Sequence, residues 1–217
     1  MRSYKQSCGV AKALDVIGDR WSLLIVRELL IREACRYTDL RDGLPGIATN
    51  LLADRVRDLE AAGVVAREHA PAPIAATLIR LTDRGRELQS VVLLLGSWGA
   101  PWLAEAPADD CFRAHWLLMP LRLHLTDHAP DAPAVSMEIR IGGEALTVEA
   151  SAGAVRVRLG ASGGADAVAS GDPRTVLGLM TGRLDLNAAR AAGLDYQGDP
   201  RVLARLVRAP VGPPSAP

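Results

Sequence analysis

One ordered series of short amphipathic segments, closed by a hairpin, restricts the fold of this chain more than any other feature. Val10, Ala13, Leu14 and Ile17 fall at the 3, 4, 7 spacing of one helical face and predict a helix over 10–17. Gly18 interrupts, Asp19 offers an N-cap, and Trp21, Leu24, Ile25, Glu28 and Leu29 carry a second helix to about Ile31, with Trp21 and Leu24 expected in the core. After a polar break, Tyr37–Gly43 predicts a third, short helix holding Leu40, and Leu44-Pro45-Gly46-Ile47 has the chemistry of a tight turn. A fourth helix follows, capped by Thr49, buried through Leu52, Val56 and Leu59, and stopped at Gly63. Strand-like Val64–Arg67 and Thr77–Leu81, joined through the Pro-stiffened Ala70-Pro71-Ala72-Pro73-Ile74, form a wing. Thr82 and Asp83 then open a long helix in which Leu88, Val91, Leu95, Trp98 and Trp102 recur near heptad spacing. That apolar seam is longer than a small domain needs to cover itself.

This chain order leaves the fourth helix on the outside, free to enter a DNA major groove about 12 Å wide. Asn50, Asp54 and Arg57 lie opposite its leucines, with Thr49 at the tip and Arg55 on the flank. Asn pairs bidentately with adenine, and Arg with guanine or a phosphate. Arg36, Thr38 and Arg41 are placed for phosphates, which completes a DNA-binding set of Arg36, Thr38, Arg41, Thr49, Asn50, Arg55 and Arg57. The alternative for Asn50, Arg55 and Arg57 is a solvated helix face paired locally with Asp54, Asp58 and Glu60. Charge does not decide between them. The net charge is zero, and residues 1–105 hold 14 Lys+Arg against 13 Asp+Glu, yet DNA recognition needs only a local stripe of cations at the phosphates.

The blocks Cys8-Gly9-Val10-Ala11-Lys12-Ala13-Leu14-Asp15-Val16-Ile17-Gly18-Asp19-Arg20-Trp21, Arg27-Glu28-Leu29, Tyr37-Thr38-Asp39-Leu40, Leu44-Pro45-Gly46-Ile47, Arg55-Val56-Arg57-Asp58-Leu59-Glu60 and Leu81-Thr82-Asp83-Arg84-Gly85 resemble the HxlR family of winged-helix regulators over about residues 7–103. The resemblance implies a homodimer built through the first and last helices of the domain, with Leu14, Leu88, Val91, Leu95, Trp98 and Trp102 as the expected dimerisation residues, and bound to a palindromic operator near a promoter. The chain departs from that family at Ala48, where a capping Ser is usual, and near Ala76, where the wing commonly carries a basic residue. Cys8 stands where some relatives of this type carry a redox-sensing thiol; a packed small hydrophobe is its alternative role.

Composition changes over 104–111, which reads as a linker, and a second core begins at Phe112. Trp116, Leu117, Met119, Pro120 and Leu123 mark a helix; Val135–Ile141, Ala145–Ala150 and Val155–Leu159 alternate with Gly-containing turns as an antiparallel sheet. Gly171-Asp172-Pro173-Arg174 and Gly198-Asp199-Pro200-Arg201 are helix starts, with Asp as cap and Pro in the first turn. The segments 169–173, 177–185 and 192–199 resemble the sterol-carrier-protein type of lipid-binding domain, over roughly 112–208. That resemblance implies five strands backed by helices around an apolar tunnel, for which Trp116, Met119, Met137, Met180 and Leu184 are candidate wall residues and ordinary core residues the alternative.

Chemistry other than binding finds little support. His124 and His128 lack a third metal ligand, Gly160-Ala161-Ser162-Gly163-Gly164 lacks the Lys-Ser/Thr of a phosphate loop and reads as a mobile turn, and no GxSxG element occurs. Three widely spaced cysteines, Cys8, Cys35 and Cys111, predict free thiols, with no metal and no cofactor. No apolar run approaches the roughly 20 residues of a membrane span, so a cytoplasmic location is expected.

The fold class is therefore α+β: a winged helix-turn-helix over 1–103, a linker over 104–111, an α/β sterol-carrier-like domain with a mostly antiparallel sheet over 112–210, and a disordered tail over 211–217. The expected function is non-enzymatic, that of a bacterial regulator, provisionally a repressor, that binds double-stranded DNA as a homodimer and answers to an apolar small-molecule effector. A lipid or apolar-metabolite carrier using the winged helix only to dimerise, a redox-responsive regulator acting through Cys8, and an enzyme modifying an apolar molecule are the alternatives.

Overall fold

The computed structural model describes residues 3–71, 75–107 and 109–207. The chain divides into two compact units, Met1–Trp98 and Gly99–Pro217, so the division falls a few residues before the expected end of the first domain at 103. The tail expected to be disordered, 211–217, and the wing tip at 72–74 lie outside the described residues.

In the first unit the helices are α1 (Gly9–Ile17), α2 (Ser22–Arg32), α3 (Tyr37–Asp42) and α4 (Thr49–Ala61), followed by α5 (Asp83–Arg86) and α6 (Leu88–Gly99). Three strands, β1 (Ala34–Arg36), β2 (Val65–Ala70) and β3 (Ala76–Leu81), form one antiparallel sheet with β3 in the centre. β1 lies in what the sequence offered only as a polar break: three residues are too few for an alternation to register. The single long helix expected after Thr82 is divided instead. Thr82 caps α5 by accepting from the Gly85 amide at 3.0 Å, and the helix breaks at Glu87 before resuming as α6 and ending in a 3-10 segment, Ala100–Ala104.

Three local expectations fail at α2 and α4. Leu24 is 36% exposed, because the buried face of α2 runs through Ser22, Ile25, Val26, Glu28 and Leu29 and leaves Leu24 on the opposite flank. Trp21, not Asp19, is the N-cap of α2, and Ala48, not Thr49, precedes α4; neither side chain accepts a bond from the first-turn amides. Trp21 itself is half-buried against the core formed by Ile25, Leu29, Leu40, Leu52, Leu59 and Leu81.

A charged group lies inside this core. Glu28 is fully buried; its Oε1 accepts from Arg27 Nη2 at 2.8 Å and its Oε2 lies 3.4 Å from Arg32 Nε. Arg27 also reaches the Gly43 carbonyl, which fastens α2 to the residue that ends α3. Gly43 is required here for space: a Cβ built on it would stand 2.1 Å from Glu28 Oε2.

The second unit holds a five-stranded sheet of order β6-β5-β4-β7-β8, comprising β4 (Val135–Ile141), β5 (Glu144–Ser151), β6 (Ala154–Leu159), β7 (Ala167–Ser170) and β8 (Asp195–Gly198). Only β4 and β7 run parallel. Strand alternation places Met137, Val148, Val157 and Ala167 on one face, all buried. Helices α7 (Leu118–His124), α8 (Pro173–Met180), α9 (Leu186–Ala191) and α10 (Pro200–Leu206) supply the other apolar layer. A 3-10 turn, Ala114–Leu117, precedes α7 where the sequence suggested one continuous helix. The two Asp-Pro-Arg starts cap as expected: Asp172 accepts from the Arg174 amide at 2.8 Å and Asp199 from the Arg201 amide at 2.9 Å. Over the expected linker, the Pro107 carbonyl accepts from Arg174 at 3.1 Å.

On the opposite sheet face Glu138 and Thr147 are buried as well. The loop after β6 folds over them, with the Ser162 amide on Glu138 at 3.0 Å and Thr147 Oγ1 on the Gly160 carbonyl at 2.7 Å, so the segment expected to be mobile is tied down. At the sheet edge, Arg122 of α7 donates to the Val157 carbonyl of β6 at 3.3 Å. The turn predicted at 126–130 forms around Asp127, whose buried carboxylate accepts from Arg205 Nε at 2.7 Å and Nη2 at 3.0 Å and from the Ala129 and Gly153 amides. The Arg205 guanidinium, assisted by those amides, holds the Asp127 carboxyl well below the usual carboxylate range.

Gly43→Ala is expected to displace Glu28 and destabilise the first unit by about 1–3 kcal/mol, measured by denaturant unfolding. In the second unit, the pKa of Asp127 is lower folded than unfolded, so its stabilisation is complete above the ordinary carboxylate range, near pH ~4, and fades as pH falls toward the depressed value. The melting temperature of Asp127→Asn should therefore lie furthest below that of the parent near neutrality, with the gap closing under acid conditions.

Candidate nucleic-acid interface

The short α3, the turn and α4 form a helix-turn-helix whose last member is half inside the protein and half outside. Leu52, Val56 and Leu59 are at most 1% exposed, whereas Asn50, Asp54, Arg57 and Ala61, spaced 4, 3 and 4 apart, are all exposed on the far side. Gly46, at φ +85°, turns the chain sharply before α4 as only glycine does without strain. Ala48 supplies no side-chain acceptor to the first-turn amides of α4. The start of α4 is held from outside instead: the Tyr37 hydroxyl on α3 donates to the Thr49 carbonyl at 2.7 Å. Sequence reasoning missed this contact, since a partner 12 residues away leaves no mark in a local pattern.

Of the residues expected to meet DNA, Arg36, Thr38, Arg41, Thr49, Asn50 and Arg57 are exposed. Arg57 is paired with Asp54 one turn earlier on the same face, and Arg41 lies 3.5 Å from Asp42, so either would have to leave a carboxylate to meet a phosphate or a base. Arg55 is placed differently. Its side chain is only 21% exposed and is held between Asp19 of the α1–α2 turn and Asp58 of its own helix, at 3.1 Å from the latter. The position one residue off the outward stripe turns Arg55 toward the body of the unit and makes it a brace for α4. In the wing, Arg67 pairs with Glu60 at 3.3 Å and Arg80 with Glu68 at 2.7 Å.

The expected dimerisation residues fall on two sides of α6. Leu88 turns inward with Val92 against the unit's own core, whereas Val91, Leu95 and Trp98 are exposed, together with Leu94 at 72%. On α1, Leu14 and Val10 are also exposed. Trp102 is exposed in the 3-10 segment of the second unit. Of the candidate ligand wall there, Met119, Met137 and Met180 are buried, Trp116 is half-buried, and Leu184 lies against Gly178 of α8.

The three cysteines are free and differ in chemistry. Cys8 is the exposed N-cap of α1, and the Ala11 and Val10 amides at the helix start lower its pKa. Burial pushes the Cys35 thiol up to about 11. Cys111 is exposed.

Residues 16–107 match the HxlR-like helix-turn-helix family. The chain is 35% identical over 102 residues to the HTH-type transcriptional regulator sll1512 of Synechocystis sp., covering 47% of this chain and 75% of the relative. It is 32% identical over 98 residues to the HTH-type transcriptional regulator YvaP of Bacillus subtilis, covering 45% of this chain and 90% of the relative. Among solved structures, the redox regulator HypR in its oxidised form is 33% identical, with a TM-score of 0.40 over 43% of this chain and 96% of that chain.

The cysteines should separate under limiting iodoacetamide. A thiol whose pKa is about 11 is roughly one part in a thousand thiolate at pH ~8, so Cys35 should label only after denaturation while Cys8 labels in the folded protein. Peptide mass spectrometry reads the order, and equal labelling of Cys8 and Cys35 in the folded chain would contradict it.

Proposed function

Because the chain belongs to the HxlR-like helix-turn-helix family of transcriptional regulators, we propose that it binds a palindromic operator in double-stranded DNA as a homodimer, with α4 of each copy in a major groove. The observation that carries this reading is the division of α4: three fully sequestered apolar residues on one side, and Asn50 and Arg57 exposed on the other. Asn50 and Arg57 read bases; Thr49, Arg36, Thr38 and Arg41 hold phosphates. Arg55 braces the helix and does not read sequence.

The dimer forms through α1 and α6. Val10, Leu14, Val91, Leu94 and Leu95 expose more apolar side chain than a surface helix needs, and covering it stabilises by about 25 cal/mol per Å2 of apolar area. The second unit answers to an apolar small molecule held between its sheet and helices, where Met119, Met137 and Met180 line the interior and adapt readily to a ligand's shape. The effector acts by preferring one placement of the two α4 helices over another.

A second reading, control by oxidation, has one specific observation in its favour. Cys8 is exposed and its thiolate is stabilised by two amides at the start of α1, on the helix assigned to the dimer contact.

In a gel shift on the DNA upstream of its own gene, the parent chain should give salt-sensitive, sequence-dependent retardation. Asn50→Ala and Arg57→Ala should each weaken it by about 1–3 kcal/mol with unchanged thermal stability; absence of retardation, or indifference to both substitutions, would remove α4 from the groove. Light scattering should give twice the 23.0 kDa chain mass, falling toward one chain when Leu94 and Leu95 are both replaced by Glu.

A further inference from the structure

The arm before α1 borders an open cleft of about 780 Å3 in the first unit, between α1 and α4, lined chiefly by Tyr4, Leu14, Asp15, Asp19, Arg55 and Asp58. Asp15 latches the arm, its carboxylate accepting from the Tyr4 amide at 2.8 Å and from Ser3 Oγ at 2.9 Å. The lining thus holds three carboxylates against one guanidinium, with Lys12 outside it, 3.8 Å from Asp15 and largely exposed. Tyr4 and Leu14 supply an aromatic ring and an apolar wall. An anion entering this space meets three like charges; an apolar cation meets partners for both its charge and its body.

The one cation already there is imperfectly held. Arg55 spends Nη1 on Asp19 and Nη2 on Asp58, while its buried Nε makes no hydrogen bond. Both carboxylates that hold Arg55 are open to solvent, Asp19 at 62% and Asp58 at 39% exposure, so a competing cation can reach them and exchange with the guanidinium.

We propose that this cleft is a binding site for an organic monocation with an aromatic or other apolar body, which takes the place of Arg55 between Asp19 and Asp58. Occupancy releases α4 from the α1–α2 turn and so lowers operator affinity. Binding at the cleft stands on its geometry alone; only the effect on DNA rests on the reading of α4 as the groove helix. The site is separate from the apolar interior of the second unit.

Calorimetric titration of the full chain with tetraphenylphosphonium, against the isosteric anion tetraphenylborate, tests the proposal. The cation should bind with one site per chain and the anion should not saturate there. Asp19→Asn with Asp58→Asn should weaken the cation by about tenfold or more, and Arg55→Ala should strengthen it several-fold by removing the internal competitor, a gain that general destabilisation of the unit would not give. In gel shifts the cation should reduce retardation by the parent and leave the double Asn variant unaffected. Equal binding of the cation to the double variant, which would mean adsorption on exposed apolar helices, overturns the site, as does Arg55→Ala binding no better than the parent. Retardation without cation binding rejects the cleft and leaves the DNA reading standing; cation binding with no retardation does the reverse.

Discussion

The DNA-binding unit is organised around one charge taken out of water. Removing a carboxylate from solvent costs several kcal/mol unless it is paired and hydrogen-bonded, so a buried Glu28 tolerates few arrangements of its neighbours. Arg27 and Arg32 must approach from α2, the chain must carry no side chain at Gly43, and the Gly43 carbonyl must turn toward Arg27. Those conditions determine where α3 ends, and the turn of Pro45 and Gly46 then launches α4 from a defined point. A leucine in place of Glu28 would pack as densely and demand none of them.

From that start α4 is held by three different kinds of force. The leucine stripe fastens one side by exclusion from water, Tyr37 holds the first turn by a hydrogen bond to Thr49, and Asp19 holds the middle through Arg55. The first does not depend on ionic conditions, whereas the last is electrostatic and exchangeable. A helix fixed in this manner keeps its polar stripe outward while retaining one contact that small charged molecules can disturb.

Element order in the first unit was legible because α1, α2 and α4 carry an apolar period and the breaks at Gly18, Pro45-Gly46 and Gly63 carry Gly or Pro. Val135–Ile141 was found to the residue for the same reason: alternation over seven positions is a strong signal. What escaped was set by partners distant in sequence. β1, β7 and β8 have three or four residues each and exist through pairing with longer neighbours. Leu24 carried the residue type expected of the core yet lies one step around α2 from the buried face, and Arg55 lies one step around α4 from the exposed stripe of Asn50, Asp54 and Arg57. The capping of α4 was misjudged because Thr49 has the right chemistry one position too late, and the contact that replaces it comes from α3.

Strand β6 borders the larger sheet, and an unpaired border of main-chain groups invites a like strand from another molecule to continue the ladder. Arg122 already occupies one carbonyl of that border, at Val157. An incoming strand would have to evict a guanidinium before gaining its own bond there, so the β6 border resists extension of the ladder at that point, and a side chain reaching across from a helix serves as a guard for main chain that no strand covers.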